Sequence, residues 1–169
     1  MKAELFSSDF LISFFIFLST LLVITTYYQN LQTDIYETNL RNVIYFKTVS
    51  ISSLLATTSG YPQYWNSTNV EVIGLYDSGK FNLTKFEYLI NDTNYQDVRT
   101  KLGTGVYNFL INLKSNNTDS IIQKLGTNYN YSYGMIPTNE EQVAVVRRLG
   151  VVNNSGIVSK ATLEVILWE

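Results

Sequence analysis

The sequence contains no cysteine and no histidine in its 169 residues, and only two prolines. Without cysteine there is no thiol nucleophile and no disulfide framework. Without either residue there is no Cys/His zinc site and no Ser-His-Asp triad. Charge is scarce as well, at 15% of residues against about 25% in a typical soluble chain. The formal net charge of −2 excludes a nucleic-acid binder that works through a general basic field. These absences remove most common enzyme classes. The sequence therefore assigns no catalytic residue, no cofactor and no metal, and reads as a non-enzyme.

The charge deficit is concentrated near the N-terminus. Between Asp9 and Asp34 the only ionisable side chains are Tyr27 and Tyr28. Residues 10–28 read FLISFFIFLSTLLVITTYY. As a helix this run rises roughly 28 Å, close to the hydrocarbon thickness of a bilayer, with the two tyrosines at an interfacial position. It is apolar on every face and flanked by polar residues, unlike a core helix. It exceeds the 7–15 apolar residues typical of a cleaved secretory signal, and no small-x-small site follows it. The length points to a transmembrane anchor, with the lipid bilayer as its first partner. Lys2 before the run, with Asp34 and Glu37 after it, gives a slight positive-inside bias. The short leader is then cytoplasmic and the bulk of the chain extracytoplasmic.

Sequons argue for the same side. Asn-x-Ser/Thr occurs at Asn66, Asn82, Asn91, Asn116, Asn130 and Asn153, and nowhere before residue 60. Chance would give roughly two among the asparagines beyond residue 60, so these six are candidate glycosylation sites.

Residues 29–59 contain no proline or glycine, and Leu31, Ile35, Leu40, Ile44, Ile51 and Leu55 fall on one helical stripe. The spacing predicts a helix that continues to Ser59, with Gly60 at C′ and Pro62 beyond. Its second half offers that stripe to a domain. Further on, the pattern predicts a short strand around 70–73, a turn at Asp77-Ser78-Gly79 and helices over 82–90 and 95–102. A strand is expected over 106–113. Tyr129, Tyr131 and Tyr133 are expected on one face of an extended segment, either as a binding row or as a buried strand face. The strands 142–152 and 157–168 flank a hairpin loop at Asn153-Asn154-Ser155-Gly156. Arg147 and Arg148 then point to opposite faces, one toward Glu140, Glu141 or Glu164. Trp65 and Trp168 are expected in the core. Gly103-Thr104-Gly105 lacks the Lys-Ser/Thr of a phosphate loop and reads as a helix cap and turn. Asp92, Asn94 and Asp97 lack the glycine and terminal glutamate of a calcium loop and read as a turn.

The fold class expected is α+β, a long N-terminal transmembrane and amphipathic helix packed on a small antiparallel β domain. The organisation is 1–9 leader, 10–28 transmembrane helix, 29–59 amphipathic continuation and 60–169 extracytoplasmic domain. A basic-small pair, a carboxylate at the mouth of an apolar helix, a continuous amphipathic extension and a C-terminal β domain together resemble the type IV pilins. The similarity is to the archaeal branch with class III signal peptides. The resemblance implies a pilin-like fold, cleavage by a prepilin peptidase after Lys2-Ala3, and Glu4 as the first mature residue. It also implies that Asp9 pairs with the freed amine of a neighbouring subunit, although Asp9 would be the sixth mature residue and the family's carboxylate is the fifth. Left to the residues alone, Asp9 reads equally as a helix N-cap. Gly60-Tyr61-Pro62-Gln63-Tyr64-Trp65, Ile73-Gly74-Leu75, Lys85, Tyr95, Arg99 and Leu102-Gly103 also resemble archaeal membrane-anchored pilin-like proteins. The function implied is a pilin, minor pilin or pseudopilin that self-associates, or associates with similar subunits, through its N-terminal helix in a surface filament. The alternative is a single-pass envelope protein that binds partners without polymerising.

Overall fold

The structure, a computed structural model, describes residues 2–115, 131–138, 142–154 and 157–169. The fold class is α+β, a long N-terminal helix followed by a sheet-containing region. Helix α1 (Lys2–Thr57) accounts for the proline- and glycine-free stretch. By its contacts the chain divides into two units, Met1–Leu40 and Arg41–Glu169. In the first unit every described residue is helical. All its described side chains are exposed except Leu40, which is half-buried.

The second unit begins with the remaining turns of α1. The elements that follow are β1 (Gly60–Tyr61), β2 (Val72–Ile73), β3 (Tyr76–Asp77), β4 (Lys80–Phe81), α2 (Leu83–Asp92) and α3 (Tyr95–Lys101). Then come β5 (Asn108–Ser115), β6 (Tyr131–Gly134), β7 (Val143–Asn154) and β8 (Ile157–Trp168). β1 and β2 pair on their own, while the main sheet has the order β3-β4-β7-β8-β5-β6. Four of its five pairings are antiparallel, but β4 runs parallel to β7 through Phe81 and Val152. The sheet is thus mixed, not purely antiparallel. The β3–β4 hairpin sets that up. Ser78 and Gly79 both take positive φ, 51° and 84°, which matches the tight two-residue turn that the sequence offers. The hairpin then delivers Phe81 to the edge of β7.

Alternation decides the core. Phe109, Ile111 and Leu113 of β5, with Leu163, Val165 and Leu167 of β8, are fully buried on one face. Burying each such side chain contributes about 1.5–3 kcal/mol relative to exposure. Phe86 and Leu89 of α2 and Ile44, Ile51 and Leu55 of α1 are buried with them. Arg148 of β7 donates to Ser52 Oγ of α1 across 3.2 Å, which fixes the helix against this face. Trp65 and Trp168 are both core residues, as expected.

The helix departs from its expected stripe. Leu31 and Ile35 are 39% and 58% exposed, and the packed face begins only at Ile44. It also includes Thr48 and Ser52, which are buried because their hydroxyls donate to the helix's own carbonyls of Ile44 and Val49. The helix ends at Thr57, two residues before the expected Ser59. Gly60 does take positive φ, 78°, but uses it to pair with Ile73. A side chain there would lie 2.4 Å from Val72 O, and one at Gly74 would lie 2.3 Å from Gly60 N. Two backbones cross at that point with room for nothing but glycine. The strand expected around 70–73 comprises only Val72–Ile73.

Candidate anchoring segment and domain sites

From Phe10 to Ile24 every Phe, Leu, Ile and Val is 40–67% exposed. The helix is long and apolar enough to cross a membrane, near the N-terminus, and among the described residues none of that apolar stretch is buried. Soluble monomers rarely leave an apolar surface this large uncovered. Four hydroxyl side chains in and just after it bond within the helix. Ser19, Thr20, Thr25 and Thr26 each donate to a carbonyl one turn back, at 2.8 Å. A hydroxyl satisfied in this way costs little in hydrocarbon and is not left over to bond a neighbouring helix.

The processing candidates Lys2, Ala3 and Glu4 lie in the first turn of α1. Asp9 is exposed, about two turns inside the helix, so it is not the N-cap. The sequons scatter. Asn66 is in the turn between Trp65 and Val70, Asn82 caps α2, Asn91 is in the last turn of α2 and Asn153 is near the end of β7. Asn116 and Asn130 lie outside the described residues, as do Tyr129, Glu140 and Glu141.

Behind the end of α1 the chain builds a polar knot. The last carbonyls of a helix lack intrahelical partners, and here Leu55 O accepts from Leu75 N at 3.0 Å while the loop carbonyls just beyond are bonded by side chains. Trp65 Nε1 donates to Ser59 O at 2.9 Å and to Gly74 O at 3.0 Å. Lys85, 3% exposed, donates Nζ to Ser59 O at 2.5 Å and to Gln63 O at 2.8 Å. The same ammonium lies 5.8 Å from the Trp65 ring centre. Burial lowers the Lys85 pKa, and the Asp77 charge opposes that. Gly60, Trp65, Gly74 and Lys85, all in the second resemblance, therefore meet in one place. Their roles are structural. Arg99 and Tyr95 serve similarly: Arg99 donates to Val106 O, and the Tyr95 ring stacks on Phe109 at 4.7 Å.

Across the sheet from the helices sits an ionic cluster that only partly shows in the sequence. Glu164, 5% exposed, accepts from Arg147 Nε at 2.7 Å, Lys114 Nζ at 2.8 Å and Asn112 Nδ2 at 3.3 Å. Burial pushes its carboxyl up, but the hydrogen bonds from Lys114, Arg147 and Asn112, with the Lys114 charge, outweigh that and hold it at about 2. Arg147 and Arg148 do point to opposite faces, as the alternation requires. Cross-strand register supplies the partners, because Arg147 and Asn112 both stand directly opposite Glu164.

Of the tyrosine row, Tyr131 and Tyr133 form a half-buried strand face. Tyr131 packs edge-on to Phe86 and donates to Glu87 at 3.2 Å. Burial, the Glu87 charge and that hydrogen bond raise the Tyr131 pKa to about 12. Tyr133 packs near Phe109 and donates to Thr93 O. A polar cleft of about 470 Å³ lies beside Tyr131, lined also by Asp77, Lys80, Asn82, Glu87 and Asn153. Among the described residues no group of His, Cys, Asp and Glu could hold a metal ion.

No protein-family model matches the chain, and no curated protein or solved structure matches it. The fold and exposed surface define a class and nothing narrower: an α+β chain with, among the described residues, one apolar helix of membrane-spanning length.

Proposed function

We propose that the chain is a membrane-anchored, non-enzymatic structural subunit similar to the type IV pilins. Residues 10–28 cross the bilayer, the leader stays in the cytoplasm, and the sequon-bearing unit stands outside. The subunit assembles through its N-terminal helix, with copies of itself or with similar subunits. The observation that carries this reading is the run of exposed apolar side chains from Phe10 to Ile24. Lipid covers them in the free subunit, and neighbouring helices cover them after assembly. Since lipid is as apolar as leucine, packing and pairing at the helix mouth, not water exclusion, drive that exchange in the bilayer. Asp9 supplies the pairing, because a carboxylate at the hydrocarbon edge is costly alone.

The test is intact mass with N-terminal peptide mapping of protein from its own membranes, alongside Asp9→Ala. A mature chain beginning at Glu4, and loss of higher assembly in the variant, support the pilin-like subunit. A chain retaining Met1 and showing no higher assembly replaces it with the stand-alone envelope anchor.

A further inference from the structure

Four of the six sequons lie within the described residues, and their local geometry differs. Asn82 is the N-cap of α2, with Oδ1 accepting from Lys85 N. Its partner Thr84 is already helical. Asn91 is inside α2, and its partner Thr93 donates its hydroxyl to Leu89 O. Asn153 is in β7, paired with Val158 in the ladder and half-buried against the polar cleft. In each case the backbone or the hydroxyl that an acceptor site must present is already committed to helix or sheet.

Asn66-Ser67-Thr68 is different. Asn66 Oδ1 accepts from Thr68 Oγ1 at 2.7 Å, from Thr68 N at 2.9 Å and from Asn69 N at 3.2 Å. Asn69 Oδ1 in turn accepts from Asn66 N at 2.7 Å. The sequon is thus closed on itself as an Asx turn, with the hydroxyl of the third residue already on the carboxamide of the first. Asn66 and Ser67 are half-buried and Thr68 and Asn69 exposed, while Trp65 and Val70 on either side are buried. The turn is held at both ends, and its Thr68-Asn69 half is exposed. Among the described residues no hydrogen bond engages Asn66 Nδ2.

We infer that Asn66 is a glycosylation site of this chain, used in preference to Asn82, Asn91 and Asn153. The inference rests on the extracytoplasmic placement of this unit. The co-substrate is a sugar activated as a lipid-borne glycosyl phosphate or pyrophosphate, delivered by a membrane transferase. Nδ2 attacks the anomeric carbon and forms the N–C bond. The bond from that carbon to the phosphate oxygen breaks, and the phosphate leaves with the electron pair. One Nδ2 proton passes to a base of the transferase. Three donors on Oδ1 draw electron density from the carboxamide and ease loss of that proton.

Glycopeptide mass analysis of the full chain from its native host tests this. Three chains are compared: the parent, Thr68→Ala and Thr68→Ser. Both variants keep the Thr68 N–H bond, and only serine keeps the hydroxyl. Tryptophan fluorescence confirms that each variant is folded. The parent peptide containing Asn66 is expected to carry glycan at higher occupancy than those of Asn82, Asn91 and Asn153. Occupancy at Asn66 falls at least about tenfold in Thr68→Ala and persists in Thr68→Ser. A single cysteine at the exposed Glu71 (Glu71→Cys), in a chain that otherwise has none, reports sidedness through an impermeant maleimide. Labelling on intact cells with a bare Asn66 overturns this inference and leaves the anchor reading standing. Labelling only after permeabilisation overturns both.

Discussion

Neutralising Glu164 exposes how much the ionic cluster on the sheet contributes. The Glu164→Gln variant keeps the shape and the Asn112 contact but removes the charge that Lys114 and Arg147 approach. A carboxyl held at about 2 instead of 4.5 would convert to roughly 3.5 kcal/mol at ~1.4 kcal/mol per pKa unit. The Lys114 and Arg147 side chains are 44% and 69% exposed, so water screens their charges. We therefore expect about 1–2 kcal/mol. Because the folded pKa is depressed, this stability is fully present above the unfolded value near 4.5. It is lost as pH falls from there toward about 2. The assay is denaturant unfolding of the full chain in detergent, followed by tryptophan fluorescence between about pH 6 and pH 2. Both tryptophans, Trp65 and Trp168, are buried in the Arg41–Glu169 unit, so the signal reports that unit. The parent's advantage over Glu164→Gln should shrink by about 1–2 kcal/mol across that window. A constant difference between the two chains down to pH 2 would refute the reasoning.

Other substitutions test the packing. Gly150→Ala puts a Cβ 2.4 Å from the buried Phe81 ring and should destabilise by about 1–3 kcal/mol. Thermal melts should show Gly150→Ala in a Phe81→Leu background costing less than it does alone, because the two sites share one space. Trp65→Phe removes the donor that Ser59 O and Gly74 O share and should cost about 1–3 kcal/mol, read as a lower Tm by near-UV circular dichroism.

Much of the local structure was legible because it depends on nearby residues. The apolar run, the short helix after Phe81, α3 up to Gly103 and the β7–β8 hairpin all follow from periodicity and turn chemistry over a dozen residues or so. What was not legible depends on distant pairings. The parallel contact of β4 with β7 joins residues far apart in the chain, and nothing near Phe81 announces it. Thr48 and Ser52 were missed as core positions because a hydroxyl bonded to its own helix packs like a small apolar group. The same applies to Lys85, whose burial makes sense only once the carbonyls of Ser59 and Gln63 surround it. Glu164 was visible as one of three partners for the arginine pair. Register alone selects it, and register is a property of the whole sheet.

Oxidative cross-linking in native membranes reads association through the N-terminal helix without an intermediate step. Single cysteines are placed one at a time along residues 10–28 of a chain that has none of its own. Disulfide-linked pairs are expected at positions recurring every three to four residues, the signature of one helix face meeting another. Cross-linking at no position, in a protein that remains in the membrane, would contradict that association.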